Sequence, residues 1–431
     1  MGMAIRFLHI ADIHLGFDHY NSPLRTLDFF HALRDVIQRH AIDRGVDFVL
    51  VAGDLFEHRQ ILPSVLNQAQ VILKRLQQAG IPVLAIEGNH DNRPYGVKTS
   101  WLRYLAEQGW LHLLEPDSDE QGEVILSPWA SETRQGGYID LPCGVRVVGS
   151  RWYGSMTARV LPRLATAISQ LPGHVDAQIA LLHHGMDGQI ARYEGALRYG
   201  DVLPLQQAGI HYLALGHIHK TYALDNWIFN PGSLEANSMA EYDVPRGAYL
   251  VTVEGSRPPQ IHAELIQDYR QRAYHKERLE LSAQDSPPQV HQQIFDRLEA
   301  AQLNPDDQVM LEIKLTGELG FPVHELDQRR LQTQIQALTG ALVTRLNVQV
   351  SNRQYAGDPT LNAQTPRRDL ERQVLSDLLA NNASYRSRSA ELAQLLITLK
   401  DLQLSGAKPP DLYDHIHHHF DGPSQPSADQ D

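Results

Sequence analysis

Five short clusters of metal-binding residue types fall in order along the first half of the chain. They are Asp12-Ile13-His14, Gly53-Asp54, Gly88-Asn89-His90-Asp91, His183 and Gly216-His217-Ile218-His219. Each follows a stretch that reads as a β-strand, and strand carboxyl ends in α/β sheets are where ligands bind. One such cluster is a chance pattern, whereas five in order at strand ends are a site. Carboxylate, imidazole and amide oxygen ligands suit Mn, Fe or Zn, and the lack of thiolates argues against a structural zinc site. Asp12 and His14 lie two apart on an extended segment, so both can face one side, and His217 and His219 can do the same. Holding two cations about 3.5–4 Å apart needs a bridging carboxylate, for which Asp54 on its glycine turn is the natural choice. Such a pair acidifies bound water and clamps the attacking and leaving oxygens of a phosphoester in line. Neutral Asn89 moderates the charge. His90 then acts on the leaving group, with Asp91 placed to orient its ring. Gly53 and Gly88 each precede a ligand, which favours close backbone approach over a mere strand ending.

The elements that must position these residues alternate in type. Strands are expected at 5–10, 47–52 and 82–86, and helices at 24–42 and 63–78. Leu27, Phe30, Leu33 and Ile37 follow a helical period, and Pro63 and Gly80 bracket the second helix. This β-α-β-α-β order implies a sheet with helices on its faces. After Gly122 closely spaced strands follow at 123–126, 145–149, 178–182, 211–215 and 248–253, as if a second sheet joins. Residues 1–265 thus form one domain. A small α+β module follows at 270–350, where Val309, Leu311, Ile313 and Leu315 alternate with Met310, Glu312, Lys314 and Thr316, and Leu342, Thr344, Leu346, Val348 and Val350 alternate again. A linker at 351–365 leads into two helices at 366–404. The first carries Leu370, Val374 and Leu378, and the second Leu392, Leu395 and Leu399. The Pro-, Asp-, Ser- and His-rich stretch 405–431, with its run His417–His419, is expected to be a disordered acidic tail.

Composition narrows the function classes. The 431 residues carry a net charge of −13 and one cysteine, Cys143. A single cysteine excludes an internal disulfide framework and favours a reducing compartment, so a cytoplasmic location is expected. Nothing reads as a secretory signal, and no run reaches the roughly 18 apolar residues of a membrane span. The acidic balance excludes a protein that coats nucleic acid by bulk charge. Cys143 and His211 read as structural residues.

The motif set resembles the calcineurin-like metallophosphoesterase superfamily and, within it, the SbcD-type DNA-repair exonucleases. The resemblance rests on residues 10–16, Ala52-Gly53-Asp54-Leu55-Phe56, 88–91 and 216–219, and extends to Asn230-Pro231-Gly232-Ser233. It implies a four-layer α/β sandwich with a small α+β capping domain and a C-terminal helical hairpin. By similarity Asp12, His14, Asp54 and His219 hold one divalent ion, and Asp54, Asn89, His183 and His217 the other, with Mn2+ expected. His183 is preferred to His184 as the first His after its strand, and His90 matches the catalytic His. The family's nucleases can carry a further His three residues after the bridging Asp, where this chain has Glu57 followed by His58. The implied activity is 3′→5′ exonuclease action on DNA ends, with single-strand endonuclease action beside it, in repair and recombination. The implied partners are DNA, a coiled-coil ATPase of the SbcC type gripped by the hairpin, and a second copy of the chain. Arg59, Arg93, Arg192 and Tyr193 are candidate DNA contacts, together with Arg151, Arg198, Tyr153 and Tyr199. Two rivals stand beside this reading. One is a phosphatase or cyclic-nucleotide phosphodiesterase on small substrates, which would need no capping module. The other is a catalytically silent scaffold, which a missing ligand would have favoured.

Overall fold

The computed structural model describes residues 4–94, 96–190, 195–255, 258–352, 367–380, 382 and 384–421. It divides into two compact units, Met1–Tyr274 and His275–Asp431.

The first unit is built on two six-stranded sheets. One runs in the order Gln260–Ile266, Ala248–Glu254, Ile5–Ile10, Phe48–Ala52, Val83–Ile86, His112–Leu113. The other runs Tyr222–Leu224, Ile228–Asn230, Tyr212–Leu215, Ala177–Leu182, Val145–Val148, Tyr138–Asp140. Their central strands pair in parallel, so the strand carboxyl ends gather on one side. These strands are apolar on both faces, and alternate side chains enter different cores. Phe7, Phe48, Leu50, Leu84 and Ile86 meet Val147, Ile179, Leu181, Tyr212 and Phe229 between the sheets. Leu8, Val49 and Val51 instead pack under the helices Pro23–Val36 and Pro63–Gln78. Ala180, Leu182, Leu213 and Leu215 pack under Thr157–Ser169 and Tyr199–Gln207. The result is a four-layer helix–sheet–sheet–helix sandwich. Each fully buried Leu, Ile or Val contributes roughly 1.5–3 kcal/mol, which makes the central layers the rigid base of the strand-end loops.

Two local departures from expectation have simple causes. Ala248–Glu254 lies in the first sheet, antiparallel to Ile5–Ile10, instead of extending the second. A strand that is apolar on both faces suits either sheet, so its pattern does not choose between them. The helix expected over 24–42 is α-helical through Val36 and then winds more widely over Ile37–Ile42, closing with Asp43 N to Gln38 O at 2.9 Å.

Buried charge anchors the segment behind the last histidines. The Arg25 guanidinium, 1% exposed, donates to Asp28, Glu235, the Tyr274 hydroxyl and the Ala236 carbonyl. Arg272 joins it through Asp28 at 2.6 Å and through its main-chain N–H on Glu235 at 2.8 Å. Every charge in this network meets an opposite partner, the condition under which buried charge is tolerated. Cys143 is half-buried, and His211 accepts the Gln178 main-chain N–H at 3.1 Å.

The second unit contains a three-stranded sheet ordered Tyr274–Leu281, Met310–Leu319, Val343–Asn352. The last two strands run parallel, and the helix Gln328–Thr339 connects them. The first is not foreseen from periodicity, because charged His275, Lys276, Glu277, Arg278 and Glu280 dilute its apolar positions. Helices Arg367–Ala380 and Ser389–Leu404 are tied by Arg368–Asp401 and Lys400–Glu371, both at 2.6 Å. The stretch expected as a tail holds a third helix, Pro409–Asp421. Its prolines suit a first turn, and Leu412, Ile416 and Phe420 recur every four residues, a stripe that bulk composition hides. Linker residues 353–365 and tail residues 422–431 lie outside the described residues. The hairpin leucines divide. Leu392 and Leu395 are buried and Leu399 half-buried, so they serve the unit's own packing. Leu370, Val374 and Leu378 are exposed. Among the described residues no helix is long and apolar enough to cross a membrane.

Candidate metal centre

The loops after four central strands are laced to one another. Asp12 N donates to Gly53 O at 3.2 Å, Ile13 N and His14 N to Asp54 O at 2.8 and 3.1 Å, and Leu15 N to Leu55 O at 2.9 Å. His217 N donates to both Asp12 carboxylate oxygens, at 2.9 and 3.0 Å. His90 N donates to Asp54 Oδ1 at 2.9 Å. Asp12, His14, Asp54 and His217 all have positive φ, at 50°, 52°, 52° and 80°. Such backbone costs about 1–3 kcal/mol per non-glycine residue and persists only where the surroundings enforce it. The turn at Asn230 enforces one of these loops, with Asn230 Nδ2 donating to the Ile218 and Lys220 carbonyls at 2.6 and 2.8 Å.

This lacing gathers Asp12, His14, Asp54, Asn89, His183, His217 and His219 into one cluster. Two groups within it, Asp12/His14/His219 and Asp54/His183/His217, and one at its edge, His14/Glu57/His90, have donor atoms close enough to share an ion. His14 Nε2 and His219 Nε2 face each other at 3.1 Å. His183 Nε2 lies 3.1 Å from Asp54 Oδ2 and 3.1 Å from Asn89 Oδ1, and His217 Nδ1 lies 2.7 Å from that amide oxygen. His184 Nδ1 accepts the Gly185 main-chain N–H at 3.0 Å and its ring stacks on Trp152, which separates it from the role of His183.

The outer nitrogens test whether cations fit. His14 Nδ1 faces Glu57 at 2.7 Å, His219 Nδ1 faces Glu241 at 3.3 Å, and His183 Nδ1 faces the Ala52 carbonyl at 2.7 Å. Each acceptor draws the ring proton outward, leaving a lone pair on the inward Nε2. Lone pairs at 3.1 Å repel unless a positive charge sits among them. Titration behaviour gives the same sign. Burial opposes charge on Asp54, yet His183, His14 and His90 hold its carboxyl well below the usual range. Burial also opposes charge on His183, yet Asp54 raises its pKa to about 9. Without a metal ion, a second proton on His183 Nε2 supplies the positive charge that Asp54 demands; a bound cation would replace that proton and leave Nε2 its lone pair. Burial and the His183 charge push His217 down to about 3, so its imidazole is a neutral donor. Carboxylate, imidazole and amide donors around a demand for positive charge fit divalent cations.

One sequence expectation is corrected. The Asp91 carboxylate does not orient His90. It accepts the main-chain N–H groups of Leu55, Gly88 and Phe56 at 2.7, 2.8 and 3.3 Å, tying two loops together, and burial, then Asp54, pushes it up to about 7. His90 is held by the Glu57 main-chain carbonyl, 2.8 Å from its Nδ1. Glu57, Glu241 and Trp152 were not foreseen as parts of the cluster. Trp152 walls it with ring centroids 5.2 Å from His217 and 5.7 Å from His183. A lone Glu or Trp with no spacing signature offers no signal; only the Glu at the place of a family His marked Glu57. Among the candidate DNA contacts, Arg59 donates to the Asn89 carbonyl at 3.1 Å and Arg93 lies 3.6 Å from Glu115. Arg151 holds the Pro116 carbonyl at 2.6 Å, Arg198 precedes a helix start, and the Tyr199 hydroxyl accepts from Trp227 at 3.0 Å. Arg192 and Tyr193 lie outside the described residues.

Gly88 provides a direct check of the packing. A Cβ there would stand 2.1 Å from Asp54 Oδ1 and 2.7 Å from Asp54 N. Gly88→Ala should therefore displace Asp54 and weaken Mn2+ binding by at least about tenfold in calorimetric titration. Gly45, with φ +58° and open space around it, is the control. Gly45→Ala should cost only about 1–2 kcal/mol of stability and leave Mn2+ affinity intact. Equal Mn2+ affinity in both variants would contradict this packing.

Comparison with known proteins adds lineage to the geometry. The chain is similar to the DNA double-strand break repair protein Mre11 of Archaeoglobus fulgidus, with 31% identity over 246 residues, 55% of this chain and 52% of that protein. It is 42% identical to the Mre11 of Methanosarcina mazei over 29% of this chain and 20% of that protein. It is 27% identical to the Mre11 of Aeropyrum pernix over 59% of each. The matches thus span between 20% and 59% of the length of these relatives. The family model for calcineurin-like phosphoesterases matches residues 5–221. That match takes in every strand-end loop from Asp12 to His219, and this chain belongs to the calcineurin-like phosphoesterase family.

Proposed function

We propose that the chain is a two-metal DNA phosphodiesterase of repair and recombination, degrading DNA ends 3′→5′ and also cutting single strands. The observation that carries this reading is the ring of imidazole nitrogens, carboxylates and an amide oxygen gathered at Asp54, with half-exposed His90 at its rim. Two Mn2+ ions would be held, one by Asp12, His14, Asp54 and His219, the other by Asp54, Asn89, His183 and His217. Bound there, they supply Lewis-acid stabilisation of phosphoryl charge and acidify water. The chain's own residues do the rest. The Glu57 carbonyl accepts from His90 Nδ1, so Nε2 is the nitrogen turned to substrate; as an imidazolium carrying a second proton on Nε2, His90 would pass that proton to the departing 3′ oxygen and be left as the neutral Nδ1–H imidazole. Asp91 keeps the Gly88 and Leu55 loops in register, which sets where His90 stands. The relatives named for double-strand break repair support DNA as the substrate. The α+β module of the second unit is the part that would select and position it.

The same proposal includes pairing of two copies through the first unit, a reducing cytoplasmic setting and a coiled-coil ATPase partner of the SbcC type. Exposed Leu370, Val374 and Leu378, with Leu396, Tyr413 and Phe420, are the apolar groups available to that partner.

Mn2+-dependent release of mononucleotides from end-labelled duplex DNA tests the activity. The expected result is DNA turnover far exceeding that of p-nitrophenyl phosphate esters. His90→Gln should lower that turnover by about 10²–10⁴-fold while Mn2+ binding persists. Normal DNA turnover by this variant would remove His90 from the mechanism, and activity confined to the small esters would favour the phosphatase reading. The partner is tested by pull-down with the full chain and with a chain ending near Asp358. Equal recovery of the ATPase by both would exclude the C-terminal helices from the contact.

A further inference from the structure

Glu57 stands at the edge of the cluster and belongs to neither ligand set above. It is 2% exposed, and its carboxylate touches imidazoles. Oε2 lies 2.7 Å from His14 Nδ1, and Oε1 lies 3.0 Å from His19 Nε2 and 4.0 Å from His90 Nδ1. Its main chain is fixed independently, because Glu57 N donates to Leu15 O at 3.0 Å while Glu57 O accepts from His90 Nδ1. The neighbouring Leu15 and Phe56 pair as a parallel bridge. One residue therefore touches a ligand loop, the 17–20 turn and the His90 loop.

The consequence lies in the tautomer of His14. Glu57 Oε2 stands 2.7 Å from His14 Nδ1, and a carboxylate oxygen so close favours the tautomer with the ring proton on that nitrogen. Its Nε2, the atom facing His219, is then a lone-pair donor. A histidine that ligates a metal needs this arrangement, and an acceptor on the far nitrogen raises its basicity. His219 receives the equivalent support from Glu241, 3.3 Å from its Nδ1. Glu57 differs in serving the catalytic loop as well as a ligand.

We propose that Glu57 is a positioning residue of the metal centre: it holds His14 as an Nε2 donor and, through its main chain, sets the place of His90. The inference rests on reading the strand-end cluster as a metal centre. His19 is the outer arm of the same carboxylate and, at 58% exposure, steadies it from the solvent side.

Calorimetric Mn2+ titration of the full-length chain separates the two levels. The unaltered chain should bind two ions; failure to do so overturns the metal-centre reading and this inference with it. Glu57→Met keeps the shape and removes the acceptors, and it should weaken binding of one ion by about 10–100-fold. Glu57→Gln retains one acceptor oxygen and should fall between the two, which also keeps the test open if the Met variant does not fold. The melting temperature of the metal-stripped protein should differ little among folded variants, so the loss is one of affinity. Unaltered affinity in either folded variant, when the parent binds two ions, would overturn the role of Glu57 and leave the metal centre standing. Equal losses in the Gln and Met variants would overturn it as well.

Discussion

Electron-rich atoms crowd together where the two sheets' strand ends meet, and this crowding is the constraint on which the rest depends. Inward imidazole nitrogens, two carboxylates and an amide oxygen repel one another unless positive charge lies among them. The protein imposes the arrangement by force of packing. Backbone hydrogen bonds lock Asp12, His14 and Asp54 into left-handed conformations, and the sandwich beneath offsets the strain. Glycine is required where the loops cross. A Cβ on Gly53 would stand 2.2 Å from His183 Nδ1, and one on Gly216 2.4 Å from the Ala52 carbonyl. The site is thus an outcome of how the first unit folds, and its residues span positions 12 to 219.

Support around the cluster is distributed by chemistry. Carboxylates sit behind His14 and His219, a main-chain carbonyl behind His183, and another behind His90. Each fixes a ring orientation and a proton. Asp91 acts on the backbone instead, accepting three N–H groups from two loops. This division explains how these four histidines can lie close together with distinct roles. The net charge of −13 fits the same picture: attraction for an anionic substrate would come from ions and local arginines, not from overall charge.

Much of this is legible in the residues. Runs such as Phe48–Ala52 announce strands buried on both faces, and the metal-binding residue types directly after them announce a site. Spacing cannot tell which partner stands behind each imidazole, because Glu241 and Glu57 reach their histidines through tertiary packing. Asp91 next to His90 suggests a dyad, yet neighbours on a tight turn point apart. The strand Tyr274–Leu281 hides under alternating charge, and the helix Pro409–Asp421 hides in a composition that reads as unstructured. In each case short-range pattern and long-range packing disagree, and packing decides.

The account stands on two cations sharing Asp54. Anomalous diffraction at the manganese edge from Mn2+-soaked crystals measures this directly. Two peaks about 3.5–4 Å apart are predicted. One should lie against Asp12, His14 and His219, the other against Asn89, His183 and His217, with Asp54 touching both. No peak within the cluster, or a single peak that leaves either histidine group unoccupied at saturating Mn2+, would contradict it.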